Sequence, residues 1–169
     1  MWDMNTRESK VFPINDDSAN PLDRASVAIS LDGRFITAGY LSNTDMHIWD
    51  VSSGTLVNRL CGHSDGIMSV AFTPDGKGLV SGSRDGTLKY WELNMTNNNA
   101  RNAGGPFGKC ILDFKAHKNL VFHVAISHNG QWIVSSSMQD GVRFWDKHGR
   151  AQLMLKVHEQ SGARLCIQT

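Results

Sequence analysis

The stretch GHSDGIMSVAFTPDGKGLVSGSRDGTLKYWE, from Gly62 to Glu92, decides how the chain is read, because its spelling recurs on either side. Upstream, Ser30-Leu31-Asp32-Gly33 runs to Trp49-Asp50; in the middle, Thr73-Pro74-Asp75-Gly76 runs to Trp91-Glu92; downstream, Ser127-His128-Asn129-Gly130 runs to Trp145-Asp146. Trp49 and Trp91 are 42 residues apart, Trp91 and Trp145 are 54 apart, and removing 12 residues restores the period. Those residues sit in Asn94 through Gly108, NMTNNNARNAGGPFG, which has five Asn and three Gly in fifteen positions. So little apolar surface does not offset the entropy of ordering a backbone, and the segment reads as a mobile surface loop. By contrast, His63 to Trp91 and His117 to Trp145 are both 28 residues, so the interior of the repeat is constant.

A period of roughly 40 to 45 residues, with Gly-His near its start and Trp-Asp near its end, marks the blade of a β-propeller. In the middle unit, Ile67 to Phe72 is a mostly apolar run, as for an inner strand buried on both faces. Asp75-Gly76 supplies a tight hairpin into Gly78 to Ser83. A second Asp-Gly pair, Asp85-Gly86, leads into Thr87 to Trp91, whose alternation and β-branched or aromatic enrichment predict a third strand. The outer strand is placed at Lys109 to Phe114.

These residues resemble a WD-repeat protein. The order of units is similar to the C-terminal propeller of the fungal Tup-type, Groucho-like, general transcriptional corepressors. Ala38-Gly39 with His47-Ile48-Trp49-Asp50 and Gly54 to Leu60 resembles that family's fifth blade. Ser69 to Gly76 with Val80-Ser81-Gly82-Ser83 and the Asn-rich insertion resembles its sixth. Gly141-Val142-Arg143-Phe144-Trp145-Asp146-Lys147 with Leu153-Met154-Leu155 resembles its seventh. The resemblance covers residues 1 to 158. It implies an all-β fold: a propeller fragment of three complete four-stranded antiparallel blades with partial blades at both ends. The units are 1–24, the tail of a preceding blade ending in an outer strand over Glu8 to Ile14; 25–60; 67–114 with the insertion 94–108; 120–155; and a divergent tail 156–169. Propellers close with about four to eight blades, and the resembled family has seven. The chain therefore reads as a fragment, from a truncated gene model or a degenerate paralogue, whose apolar edges keep it from being a stable closed monomer.

The resemblance also implies a structural network in which a loop His, a second-strand Ser, a turn Asp and the third-strand Trp tie one blade together. His63, Ser81, Asp85 and Trp91 form the complete set. His117, Ser135 and Trp145 match in the last blade, but Gln139 stands at the Asp position with Asp140 one residue late, so a rearranged network is expected. The first blade has no Gly-His, and its turn Leu41 to Asp45 is one residue longer with Asn43 at the Asp position; apolar packing should hold it. A His, an Asp and a Ser are the residue types of a hydrolase triad, but the Trp indole competes for the same hydrogen bonds and no oxyanion loop accompanies the Ser.

Composition excludes several classes. With 40% hydrophobic and 20% charged residues and a net charge of +1, nothing calls for a nucleic-acid or membrane partner. No apolar h-region follows a basic start and no apolar run nears eighteen residues, so an intracellular protein is expected, and the acceptor pattern Asn94-Met95-Thr96 is discounted. Cys61, Cys110 and Cys166 form no CxxC pair; the first two read as small buried residues. His117, His123 and His128, at spacings of six and five, do not share a strand face as metal ligands would. Arg143, Lys147, His148 and Arg150 read as a solvated edge. No glycine-rich phosphate loop is present, and neither cofactor nor metal is expected.

What remains is a non-catalytic module for protein partners. The resemblance implies a nuclear corepressor domain that binds DNA-bound repressors; the alternative is a cytoplasmic WD scaffold or ubiquitin-ligase substrate receptor. By analogy with the loop face of WD proteins, Ser64, Asp65, Arg84, Asn119 and Met138 are the candidate partner-binding positions.

Overall fold

In a computed structural model of the chain, the described residues are Ser9, 24–93, 108–156 and 166–168. The Asn-rich insertion, apart from Gly108, lies outside them, as do the outer strand expected over 8–14, apart from Ser9, and residues 157–165. Every regular element among the described residues is a strand. The first sheet comprises β1 (Ala25–Ile29), β2 (Phe35–Tyr40), β3 (Met46–Asp50) and β4 (Leu56–Leu60). The second comprises β5 (Ile67–Phe72), β6 (Gly78–Ser83), β7 (Thr87–Leu93) and β8 (Gly108–Lys115). The third comprises β9 (His123–Ile126), β10 (Trp132–Ser137), β11 (Gly141–Asp146) and β12 (Ala151–Lys156). Each is an antiparallel meander, the form that short turns between consecutive strands produce.

The turns that set this meander are chemically alike. In the first hairpin of each blade the residue before the turn, Ser30, Thr73 or Ser127, donates its hydroxyl to the turn carboxylate or amide, Asp32, Asp75 or Asn129, at 2.6, 2.6 and 2.7 Å. The following glycines, Gly33, Gly76 and Gly130, have φ of 71°, 69° and 69°, the left-handed backbone that glycine adopts without strain. A feature with no sequence signature recurs three times: the ladder to the outer strand slips at Ile48/Trp49, Tyr90/Trp91 and Phe144/Trp145. Past their bulges, Trp91 and Trp145 are buried against the preceding sheet.

Blades stack in sequence order, β1 against β5 and β5 against β9. The first joint buries Phe35, Met46, Ile48 and Leu60 against Ile67, Val70, Leu79, Trp91 and Leu93; the second buries Val80 and Leu88 against Ala116, Val121, Val124, Ile133 and Trp145. The core is therefore two apolar layers between sheets, built from alternate residues of each strand.

Three expectations are corrected. β5 is not buried on both faces: Ile67, Ser69 and Val70 are buried, but Met68, Ala71 and Phe72 are half-buried, because β5 is the edge strand of its sheet and is paired with β6 alone. Cys61 is exposed and Cys110 half-buried, since Leu60 takes the inward position at the end of β4 and its neighbour must point out. The third sheet has a fifth strand, β13 (Cys166–Gln168), antiparallel to β12 with Leu155 opposite Ile167, where only a divergent tail was expected.

Candidate interaction face and the network beneath it

Loops 61–66 and 116–122 and the turns 84–86 and 138–140 gather at one end of the sheets, and a buried side-chain network supports them. In the middle blade, Trp91 Nε1–H donates to Ser81 Oγ at 2.9 Å, and Ser81 Oγ lies 2.7 Å from His63 Nε2. His63 Nδ1 lies 3.1 Å from both Asp85 Oδ2 and Thr87 Oγ1. One arrangement of hydrogens satisfies every group: Ser81 O–H donates to Nε2, and His63 Nδ1–H donates to Asp85. Asp85 Oδ2 also accepts the Ser64 N–H at 2.9 Å, while Oδ1 accepts the Thr87 N–H and O–H at 2.8 and 2.6 Å. The carboxylate thus clamps the Gly-His loop to the turn between second and third strands.

Electrostatics agree with the geometry. Burial pushes the Asp85 carboxyl up, but hydrogen bonds from Thr87 and the Ser64 amide, with the neighbouring His63, outweigh it and hold the group well below the carboxylate range. Burial lowers His63 below its ordinary value although Asp85 pulls the other way, so the imidazole is neutral. Ser, His and Asp stand at triad distances, yet Ser81 is 0% exposed and its oxygen already accepts the Trp91 indole. No substrate atom can reach it, and the arrangement is a brace.

In the last blade, Trp145 Nε1–H donates to Ser135 Oγ at 2.8 Å, and His117 Nε2 lies 2.8 Å from the same oxygen. The Asp-Gly pair has slid by one residue: Gly141, with φ 71°, stands opposite Ser137, where Thr87 stands by register in the middle blade. Asp140 accepts the Lys118 N–H at 2.6 Å, as Asp85 does that of Ser64, but lies 3.7 Å from His117 Nδ1, which has no hydrogen-bond partner. A glycine in place of Thr87 supplies no hydroxyl to fill that gap. Gln139 instead accepts from Asn119 Nδ2 at 2.8 Å. In the first blade, Ala38 replaces the serine and Asn43 Oδ1 accepts the Asp45 N–H at 3.0 Å, capping the longer turn.

Above the network lie the five candidate partner positions. Ser64 and Asp65 are exposed, Asp65 pairs with Arg84 at 3.8 Å, Asn119 is half-buried, and Met138 is 79% exposed. Sequence reasoning missed Thr87, which shares the hydrogen bonds of His63 and Asp85, and Phe122, 39% exposed, whose N–H donates to Ser136 beside the same face. Its aromatic side chain before an inner strand was the available signal. At the opposite end of the sheets, a groove of about 600 Å³ between the first hairpins of the second and third blades is walled by Thr73, Tyr90, His128 and Lys147 and holds none of the five. Among the described residues no three His, Cys, Asp or Glu side chains converge as a metal site would require.

The family model described as "WD domain, G-beta repeat" matches residues 54–92 and 108–146. Each match begins in the outer strand of one blade and ends in the third strand of the next, so one repeat staples two sheets. The chain is similar to mitochondrial division protein 1 of Saccharomyces cerevisiae, 34% identical over 121 residues, 68% of this chain and 16% of that protein. It is similar to WD repeat and SOCS box-containing protein 1 of Xenopus tropicalis, 32% identical over 114 residues, 67% of this chain and 24% of the other. It is also similar to the transcriptional repressor rco-1 of Neurospora crassa, 44% identical over 55 residues, 32% of this chain and 9% of that protein. The matched stretch is thus a minor part of each relative.

Proposed function

From a chain that carries WD40 repeats, generally protein-interaction modules rather than catalysts, we propose a non-catalytic module of a nuclear transcriptional corepressor whose loop face takes segments of DNA-bound repressors. The observation that carries this reading is the face itself: Met138, 79% exposed, stands with Arg84, Asp65 and Ser64 on loops braced by the His63–Asp85 and Ser135–Trp145 hydrogen bonds. An exposed apolar side chain among adaptable polar ones on a rigid frame is what a partner surface needs. The likeness to rco-1, a transcriptional repressor by name, favours repressors as the partners.

The likeness to a SOCS box-containing WD protein supports the second reading, a cytoplasmic scaffold or ubiquitin-ligase substrate receptor. A two-hybrid panel of DNA-binding repressors and ubiquitin-ligase subunits separates the two. The corepressor reading expects repressor binding that Arg84→Glu and Met138→Glu each weaken at least tenfold while the thermal midpoint is unchanged. Binding confined to ligase subunits, or repressor binding indifferent to both substitutions, overturns it.

A further inference from the structure

At the end of the sheets opposite the loop face, the two apolar joints finish differently. In the first joint Leu93, two residues after Trp91, is 3% exposed and belongs to the same buried cluster as Ile48 and Leu60. In the second joint the residue two after Trp145 is Lys147, and it is exposed. Where a leucine closes the first joint, a lysine borders the groove of about 600 Å³ in the second.

The floor of that groove is apolar and fixed. Tyr90 holds the place before its Trp that the fully buried Ile48 holds in the first blade, and is half-buried. Its hydroxyl lies against Gly78, where a Cβ would come within 2.5 Å of it. Ile111 is the extra residue of the Tyr90/Trp91 bulge: Leu112 stands opposite Tyr90 and Cys110 opposite Trp91, so Ile111 has no ladder partner and is 45% exposed. Pro74 meets the facing hairpin at Gly130, where a Cβ would stand 3.7 Å from Pro74 Cδ.

The rim carries an unbalanced charge. Among the described residues no carboxylate pairs with Lys147, since the neighbouring Asp146 is taken by Arg150 at 2.7 Å and by the His148 N–H at 2.9 Å. Asp75, the one carboxylate that lines the groove, turns into its own hairpin, where it accepts from Thr73 Oγ1 at 2.6 Å and from the Lys77 N–H at 3.0 Å. An apolar centre beside an unpaired ammonium on a polar rim is the make-up of a recognition pocket.

We infer that this groove binds a short acidic segment of a protein partner, with an apolar side chain on the Tyr90–Ile111 floor and an aspartate or glutamate beside it on Lys147 Nζ. The guest side chain does for the second joint what Leu93 does for the first, and takes the floor out of water. The ion pair, on an exposed rim, selects the sequence more than it tightens the complex. The groove lies away from the loop face and shares no residue with it, so the two surfaces can be tested separately.

The probe is the peptide acetyl-Glu-Glu-Leu-Asp-Glu-amide, titrated into the isotope-labelled full chain and followed by nuclear magnetic resonance at the amides of Ile111, Gln131 and His148. These signals are expected to shift. Lys147→Leu, which gives the second joint the side chain that closes the first, should weaken binding at least tenfold while the thermal midpoint holds or rises; Lys147→Arg should keep it. If Lys147→Leu does not fold, Lys147→Glu serves, since it reverses the rim charge at an exposed position, and the same loss is expected. A probe with glycine in place of leucine should also bind at least tenfold more weakly, and Arg84→Glu on the loop face should change nothing. Signals that stay still in the folded chain, equal binding of the leucine and glycine probes, or binding indifferent to the charge at residue 147 overturn the proposal.

Discussion

Ser81 carries more of the fold than its size suggests, because one oxygen satisfies both the Trp91 indole and the His63 imidazole at full burial. Ser81→Ala orphans two polar groups, and a loss of about 2–4 kcal/mol in urea unfolding is expected; a change below about 0.5 kcal/mol would show that the brace is ornamental. The imidazoles also set a pH response. Burial lowers His63 and, with the Arg143 charge, His117 below the ordinary 6.5, so the unfolded chain binds protons there before the folded one does. Stability should therefore fall as the pH drops through about 6.5. It should fall again below about 4, where unfolded carboxylates protonate while Asp85, held low, does not. Urea midpoints between pH 8 and 3 check both steps; a flat profile from pH 7 to 5 would mean that the histidines are not neutral when folded. His63, Ser81, Asp85 and Trp91 were legible as a set through the resemblance to WD-repeat blades, whose His, Ser, Asp and Trp positions they match. Thr87 was not, since a threonine after Asp-Gly is also ordinary strand composition.

At the level of the strand and turn, glycines with one backbone conformation differ in what surrounds them. Gly76 and Gly86 have φ of 69° and 78°, but a Cβ on Gly76 meets nothing within 4 Å, whereas one on Gly86 lies 2.8 Å from the His117 carbonyl and 2.9 Å from that of Asn119. Gly76→Ala should cost about 1–2 kcal/mol from the left-handed backbone alone. Gly86→Ala should cost at least about 3, because backbone must also move. Equal losses in chemical denaturation would mean that the contact between turn and following loop is soft. Both Asp-Gly pairs announce a turn in the sequence. The slide of Asp140-Gly141 by one residue is legible in the spacing to Trp145, but its consequence shows only in three dimensions, where it trades a threonine hydroxyl for a left-handed glycine and leaves His117 Nδ1 3.7 Å from its carboxylate. The bulges at the three tryptophans were silent, since a one-residue slip between strands leaves no mark on either strand alone.

Across the whole molecule, two apolar joints link the three sheets, and the sheets are expected to unfold as one cooperative body. Leu79, fully buried in the first joint, should cost about 2–5 kcal/mol as Leu79→Ala, and tryptophan fluorescence and far-ultraviolet circular dichroism should shift together. Separate transitions would show blades that melt singly, as weakly coupled repeats do. Strand order and hairpin positions followed from the sequence by itself, because period-two alternation and Asp-Gly turns are local properties of the chain, and the resemblance it carries named four members of the middle network, all but Thr87. Burial did not follow. Ser26-Val27-Ala28 and Ser69-Val70-Ala71 are spelled alike, yet Val27 is 68% exposed and Val70 6%. The same is true of Cys61, which the chain turns outward, and of β13, which gains a partner only where β12 offers an edge. An identical strand is core or surface according to which sheet lies across from it, and only the packed structure supplies that neighbour.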